Sequence, residues 1–355
     1  MKKNLVKVFK ISAIVIVIAI LWNYKLIGYG ISQLRGQLNI VFNTVDVADV
    51  LKDPKTAPET LEKLNLINEI RSFAIDSLGL ANADNYTTYY DQQGKPLMWV
   101  VTGCEPYKLK AKKWKFPVVG EVSYKGFFNE PAALEEASKI RNEGYETDIY
   151  SPSAWSTLGY FTDPVLSGML KRSPGRLAEL IIHELTHATL YLESSVDFNE
   201  NFATFTGEKG AELFLIFKYG EGSSELQNYR EFLHDEALYT RHMIASSRKL
   251  DSLYNALPST LTNPEKALLK YRMIASILLE QNKLPFRSQK RYRFNFQTKT
   301  LPNNTEFMAF LRYREKQDLF SEVYRTTYRS DFKFFITDIA SKASRKEKLP
   351  FKIAE

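Results

Sequence analysis

Residues 176–212 read RLAELIIHELTHATLYLESSVDFNENFATFTGEKGAE, and this stretch decides how the second half of the chain folds. Leu177, Leu180, Ile181 and Leu185 recur at helical spacing and predict a core-facing stripe. Ser173-Pro174 just before them can start that helix, serine as the cap and proline at the first position. His183 and His187 are four residues apart on it, so both rings share one face, with Glu184 one step round. A turn at Glu193–Asp197 predicts a second helix folded back on the first. Glu200 would then point at the histidine pair.

Two imidazoles at i and i+4 can reach one ion, and a glutamate between them can meet a bound water. Catalytic zinc takes three protein ligands and keeps an open position, whereas structural sites use four. His183, His187 and Glu200 are therefore the candidate ligands of one Zn2+, and Glu184 the candidate general base. An ion so held lowers the pKa of its water and polarises a carbonyl. Glu184 would take the water proton and return it to the leaving amine. Histidine–carboxylate sets also accept manganese, cobalt or iron. A developing oxyanion needs a donor. Tyr191, one turn past His187, and His234, Tyr239 and His242 on the next long helix are candidates. Asn199, Thr204 and Glu208 are candidate partners behind the histidines.

Composition narrows the class. Over 355 residues, 44% apolar and 25% charged content exclude wholesale disorder. The net charge of +7 is mild, and the clusters at Lys108–Lys115 and Arg287–Arg293 match no nucleic-acid module, so no nucleic-acid partner is expected. Cys104 is the single cysteine, which excludes an intrachain disulfide and a cysteine zinc site.

At the amino terminus Lys2, Lys3, Lys7 and Lys10 precede an apolar run, Ile11–Trp22. Twelve residues suit a signal-peptide core better than a span of about 20. Adding Asn23–Ile31 reaches spanning length if Lys25 snorkels to the interface. The expectation is a single-pass anchor in the bilayer through residues 11–31, amino terminus cytoplasmic and body extracytoplasmic. The rival is secretion after cleavage near Gly28-Tyr29-Gly30.

Along the body, residues 31–79 predict two helices, the first with Leu34, Leu38, Val41 and Val45 as its stripe, the second over Leu61–Leu78. Tyr86–Tyr90 and Met98–Thr102 flank Gly94 and suggest a hairpin. Short strands follow around Phe116 and over Glu121–Phe128, then a helix over Pro131–Gly144 and a strand over Glu146–Tyr150. Asp163-Pro164 opens a short helix ending near Lys171. Helices are predicted over 174–192, 199–219, 224–255, 263–282 and 303–345. The fold class is α+β and predominantly helical. The organisation is an anchor over 1–30 and one domain over 31–355, with a small sheet and a helical part over 224–345; the resemblance set out next implies that this domain is a zincin-like peptidase.

With these residues in view, the Asn199-Glu200-x-x-Ala203 pattern after HELTHA resembles the thermolysin-like gluzincins. The whole chain resembles a bacterial family of predicted zinc aminopeptidases found in the cell envelope. Landmarks of that likeness are Gln33-Leu34-Arg35-Gly36-Gln37, Glu69–Ala74, Trp114–Pro117, Tyr124–Phe128, Ser156–Phe161 with Asp163-Pro164, and Asn303-Asn304. The resemblance implies a peptidase acting on peptide or protein outside the cytoplasmic membrane. It departs in two ways: the usual lipidated cysteine is missing, and so is the Gly-x-Met-Glu-Asn segment that fixes a free amine in familiar zinc aminopeptidases. Where gluzincins often place an aspartate four residues after the ligand glutamate, Thr204 stands. An envelope amidase would use the same zinc, water and glutamate, and an inactive zinc scaffold is the third reading. Tyr124–Phe128 reads as a packed strand or as an edge that pairs with extended substrate. Asn303-Asn304 reads as a helix cap.

Overall fold

The computed structural model describes residues 24–116, 120–152, 162–192, 195–313 and 317–351. Its architecture is α+β and mainly helical, with small sheets. The first described helix, α1, spans Tyr24–Phe42. The expected single-pass anchor and extracytoplasmic placement are corrected here: among the described residues no helix is long and apolar enough to cross a membrane. The reason lies in what α1 touches. Tyr29 Oη and Gln33 Nε2 donate to the Gly126 carbonyl at 2.9 and 3.1 Å, so this helix carries polar groups committed to protein rather than lipid. A Cβ at Gly36 would fall within 2.1 Å of the Phe128 ring, so glycine lets α1 lie against that ring. Ile11–Trp22 lies outside the described residues.

After α1 come β1 (Val45–Asp46), α2 (Val47–Lys52) and α3 (Pro58–Asp76). Val45 thus leaves the predicted helical stripe and pairs with Tyr89. The strands β2 (Thr88–Tyr90) and β3 (Trp99–Cys104) do not form the expected hairpin. Gln93 and Gly94 both adopt left-handed backbone, and the turn they make sends the two strands into different sheets. β2 pairs antiparallel with β1 and parallel with β8 (Val165–Leu166).

The second sheet has the order β6-β3-β7, with β6 at Tyr124–Phe127 and β7 at Glu146–Tyr150. A two-stranded ribbon joins β4 (Trp114–Phe116) to β5 (Gly120–Val122). Period-two alternation puts Val101 and Phe127 on one face, where they bury against Ala133, Ala137 and Ile140 of α4 (Glu130–Asn142). β6 is an edge of its sheet, but α1 takes its Gly126 carbonyl, so pairing with an extended substrate would have to displace α1 there.

From β8 a 3-10 turn, Ser167–Lys171, leads into α5 (Pro174–Thr189) and α6 (Val196–Tyr219). These two pack with α3 in the largest hydrophobic cluster. Phe198, Phe202 and Phe205 of α6 meet Phe320 of α11 (Gln317–Thr326), and Phe202 and Phe205 reach Phe335 of α12 (Phe332–Ser344). Between them run α7 (Ser224–Asn255), α8 (Asn263–Gln281), the short α9 (Gln289–Tyr292) and α10 (Asn304–Tyr313). The predicted helix over 303–345 is therefore broken, with left-handed Arg329 and Ser330 turning the chain before α12. Asn303 does cap α10, its Oδ1 accepting from the Thr305 N–H, and its Nδ2 donates to Thr147 O of β7. Asn304 donates to the carbonyls of Glu105 and Pro106, accepts from Tyr254 and takes Glu146 at its own N–H. This polar stitching docks the late helices on the sheet.

Candidate metal centre

Leu177, Ile181 and Leu185 are fully buried and fix which way α5 rolls, leaving His183 and His187 on its other flank. Ser173 occupies the cap position but its side chain makes no capping bond. The two imidazoles stand 4.9 Å apart, nearly perpendicular. Thr186 and Thr189 donate to the carbonyls one turn back, and Thr189 also accepts the Ala81 N–H at 2.9 Å. That bond ties the segment after α3 to the end of α5.

The return of α6 depends on small residues. A Cβ at Gly207 would lie 2.8 Å from the Glu179 carbonyl and 3.1 Å from His183 Cβ, and one at Gly210 would meet Ile182 and Leu78 at 2.9 Å. Close approach at Gly207 carries Glu200, two turns earlier on the same face, to the histidines. Glu200 Oε2 lies 3.7 Å from His183 Nε2 and Oε1 lies 3.6 Å from His187 Nε2. One ligand atom from each of the three falls within 4.8 Å of the others, so the group could hold a metal ion. Nitrogen and oxygen donors set tetrahedrally about 2.0–2.1 Å from an ion stand roughly 3.3–3.5 Å apart, and the two Glu200–histidine separations lie close to that.

The electrostatics point the same way. Burial pushes the Glu184 carboxyl up to about 7; His183 opposes this, while Asp163 and Glu200 add to it. Burial, helped by His183, holds His187 down at about 4 and neutral, the form that ligates. Burial works against charge on His183, but Glu200, Glu184 and Glu179 together raise it. Burial opposes charge on Glu200 too, yet the two histidines keep its carboxyl below the ordinary range. Two carboxylates facing two rings, one of them held neutral, make a place for a cation.

The other candidates scatter. Tyr191 stays near, its ring 6.4 Å from that of His187. Asn199 turns away from the histidines: its Oδ1 accepts the Leu192 N–H and its Nδ2 donates to the Leu192 carbonyl. Thr204 is half-buried one turn beyond Glu200, and the Glu208 carbonyl accepts from Tyr229 at 3.5 Å. His187 Nδ1 is buried with no partner among the described residues, so the expected support behind that ring is not supplied by Asn199. His234 is spent beside Asp235 at 3.3 Å, Tyr239 donates to Glu306, and His242 Nε2 meets the Ile277 carbonyl at 3.1 Å. These three engage α8, α10 and the 286–294 segment rather than the histidine pair. Ser156–Phe161 lies outside the described residues. A cavity of about 1500 Å³ between α1 and residues 89–99 includes none of the three ligand candidates.

Two residues near Glu184 have no signal in the spacing of the sequence. Asp163 is 2% exposed and within electrostatic reach of Glu184. Tyr86 is fully buried, and its N–H donates to the Asp163 carbonyl at 2.7 Å. Asp163-Pro164 reads in the sequence as the opening of a short helix; the structure places the strand Val165–Leu166 there before the 3-10 turn, and no spacing ties Asp163 or Tyr86 to α5.

Compared with family models, residues 28–349 match one family, described as "putative aminopeptidase". No curated protein and no solved structure matches the chain.

Proposed function

Because the chain belongs to this aminopeptidase family, we propose that it is a zinc-dependent metallopeptidase of gluzincin type, with His183, His187 and Glu200 as ligands and Glu184 as general base. One observation carries the reading: three donor atoms from two consecutive helices converge beside a half-buried glutamate on the helix that supplies two of them. The donor set, two imidazoles and a carboxylate with no thiolate, suits zinc and leaves an open position. When bound, zinc supplies Lewis acidity and a water of lowered pKa.

The chain's own residues do the rest. His187, held neutral by burial, and His183 offer their Nε2 atoms, while Glu200 offers negative charge from the facing helix. Glu184, whose carboxyl sits near neutrality, can take a proton from water and give it up to the leaving amine within one turnover. Tyr191, exposed with its ring 6.4 Å from that of His187, would donate to a developing oxyanion. The family's description supports a peptide with a free amino terminus as the substrate.

Incubating a mixed peptide library with the protein and reading products by mass spectrometry tests this. Loss of single amino-terminal residues is expected. Internal cuts would replace the exopeptidase part of the reading, and an intact library in the presence of stoichiometric zinc would refute peptidase function.

A further inference from the structure

Tyr239 and the basic run Arg287–Arg293 have no part in the proposed metal centre, yet the fold brings them to one place. A cavity of about 480 Å³ opens between α7, α8, α9 and the start of α10. Its size falls within the roughly 300–1,000 Å³ of small-molecule sites. None of the three ligand candidates lines it.

The wall on the α8 side is built with an unfilled acceptor. Gln281 lines the cavity and is 5% exposed. Its Nε2 donates to the Tyr292 carbonyl, while its Oε1 has no partner among the described residues. A buried carbonyl oxygen without a donor forfeits its hydration for nothing, and an apolar side chain would fill the space without that loss.

The same helix end fixes a positive pole. Asn282, the next residue, accepts the Phe294 N–H at 2.7 Å and donates to the Phe294 carbonyl at 2.9 Å. Arg293 therefore stands between two residues that are both clamped to α8. Its guanidinium makes no hydrogen bond or ion pair among the described residues, nor does the Lys299 ammonium on the same cavity. Arg291 adds a third positive charge to the lining.

The negative pole is Glu306 of α10, whose Oε1 accepts the Tyr239 hydroxyl at 3.2 Å. Glu306 also lines a second cavity, of about 560 Å³, where the wall from β7 carries Asp148. Leu278 and Phe294 give the first cavity apolar surface. Opposite charges on one small cavity, with a buried acceptor wanting a donor, describe a ligand that carries both charges itself.

We infer that this cavity binds a small zwitterion, an ammonium and a carboxylate on one short backbone, as in a free amino acid or a dipeptide. The carboxylate meets Arg293 and Lys299. The ammonium meets Glu306, and one of its N–H groups gives Gln281 Oε1 its missing donor. Such molecules are what the proposed hydrolysis releases, but binding here needs no catalysis and stands apart from the peptidase reading.

The test is calorimetric titration of the full-length, zinc-loaded protein with L-leucine, and of Glu184→Gln with L-leucyl-L-leucine so that the dipeptide stays whole. Saturable binding of at least one is expected, and the one that binds identifies the source. Its amide, which lacks the carboxylate, and its N-acetyl form, which lacks the ammonium, should each bind at least about tenfold more weakly. Arg293→Ala should weaken binding by a similar factor, with melting midpoint and zinc content unchanged. Glu306→Gln, which keeps the shape and removes the charge, should do the same. No saturable binding of either probe up to about 10 mM would overturn the inference. So would a blocked form that binds equally well, or binding unchanged in either variant, which would place the probe elsewhere.

Discussion

Asn199 and Leu192 close a ring across the link between α5 and α6. The asparagine Oδ1 accepts the Leu192 N–H at 2.9 Å, and its Nδ2 donates to the Leu192 carbonyl at 2.8 Å. That ring fixes the rotation at which α6 begins, and the next residue is Glu200. The asparagine of the Asn-Glu pair therefore aims the proposed ligand rather than touching the ion.

Replacing Asn199 by alanine removes both bonds and leaves the Leu192 groups unpaired, at a cost of about 2 kcal/mol. Zinc affinity should fall about tenfold because Glu200 loses its fixed approach. Thermal melting and competitive zinc titration check both. Unchanged affinity would show that the ring does not aim Glu200.

Gly207 sets the distance between the ligand-bearing helices, since a Cβ there meets the Glu179 carbonyl at 2.8 Å. Backbone cannot move aside as a flexible side chain can. Gly207→Val should destabilise by about 2–3 kcal/mol and weaken zinc binding with it, read by melting and by metal content after dialysis.

Removing the metal gives a third check. A ligand that binds only the native state at a hundredfold over its dissociation constant stabilises by about 2.7 kcal/mol. A chelator should therefore lower the melting midpoint of wild type, and added zinc should restore it. Neither should move the midpoint of His187→Ala or Glu200→Ala by a comparable amount.

Away from the centre, Asp235 supplies a pH-dependent test. Its carboxylate is buried and accepts the N–H groups of Arg287 and Ser288, both at 2.8 Å. Burial favours the neutral acid, but these donors and His234 outweigh it and hold the pKa below the ordinary aspartate value. A folded pKa below the unfolded one gives stability that is fully present above the unfolded value, about 3.9, and is lost as pH falls through the folded one. Asp235→Asn should cost about 2 kcal/mol near pH 7, and the gap to wild type should narrow below about pH 4. A gap that stays constant down to acid unfolding would contradict the assignment.

The helices were legible in the sequence wherever a long apolar stripe repeated, as at Leu177–Leu185, and β7 was legible as a bounded strand at Glu146–Tyr150. Pairing was not. β2 and β3 looked like a hairpin because they are neighbours in the chain, yet β2 takes β8 from more than seventy residues on, and no local pattern encodes that choice. The apolar run extends toward Ile31 in the sequence, which carries no sign that Tyr29 and Gln33 are spent on Gly126. Within the site, the histidine spacing was readable because it is helical geometry. Asn199 was readable as important but not for its task, and Tyr86 and Asp163 were hidden because their burial arises only from the tertiary fold.

Peptide hydrolysis and zinc content measured in the same samples of wild type and Glu184→Gln test the central claim most directly. The account predicts one zinc per chain in both proteins and turnover in wild type alone, reduced at least about a thousandfold in the variant. Turnover that survives in Glu184→Gln, or a wild type that cleaves peptides with no metal bound, would contradict it.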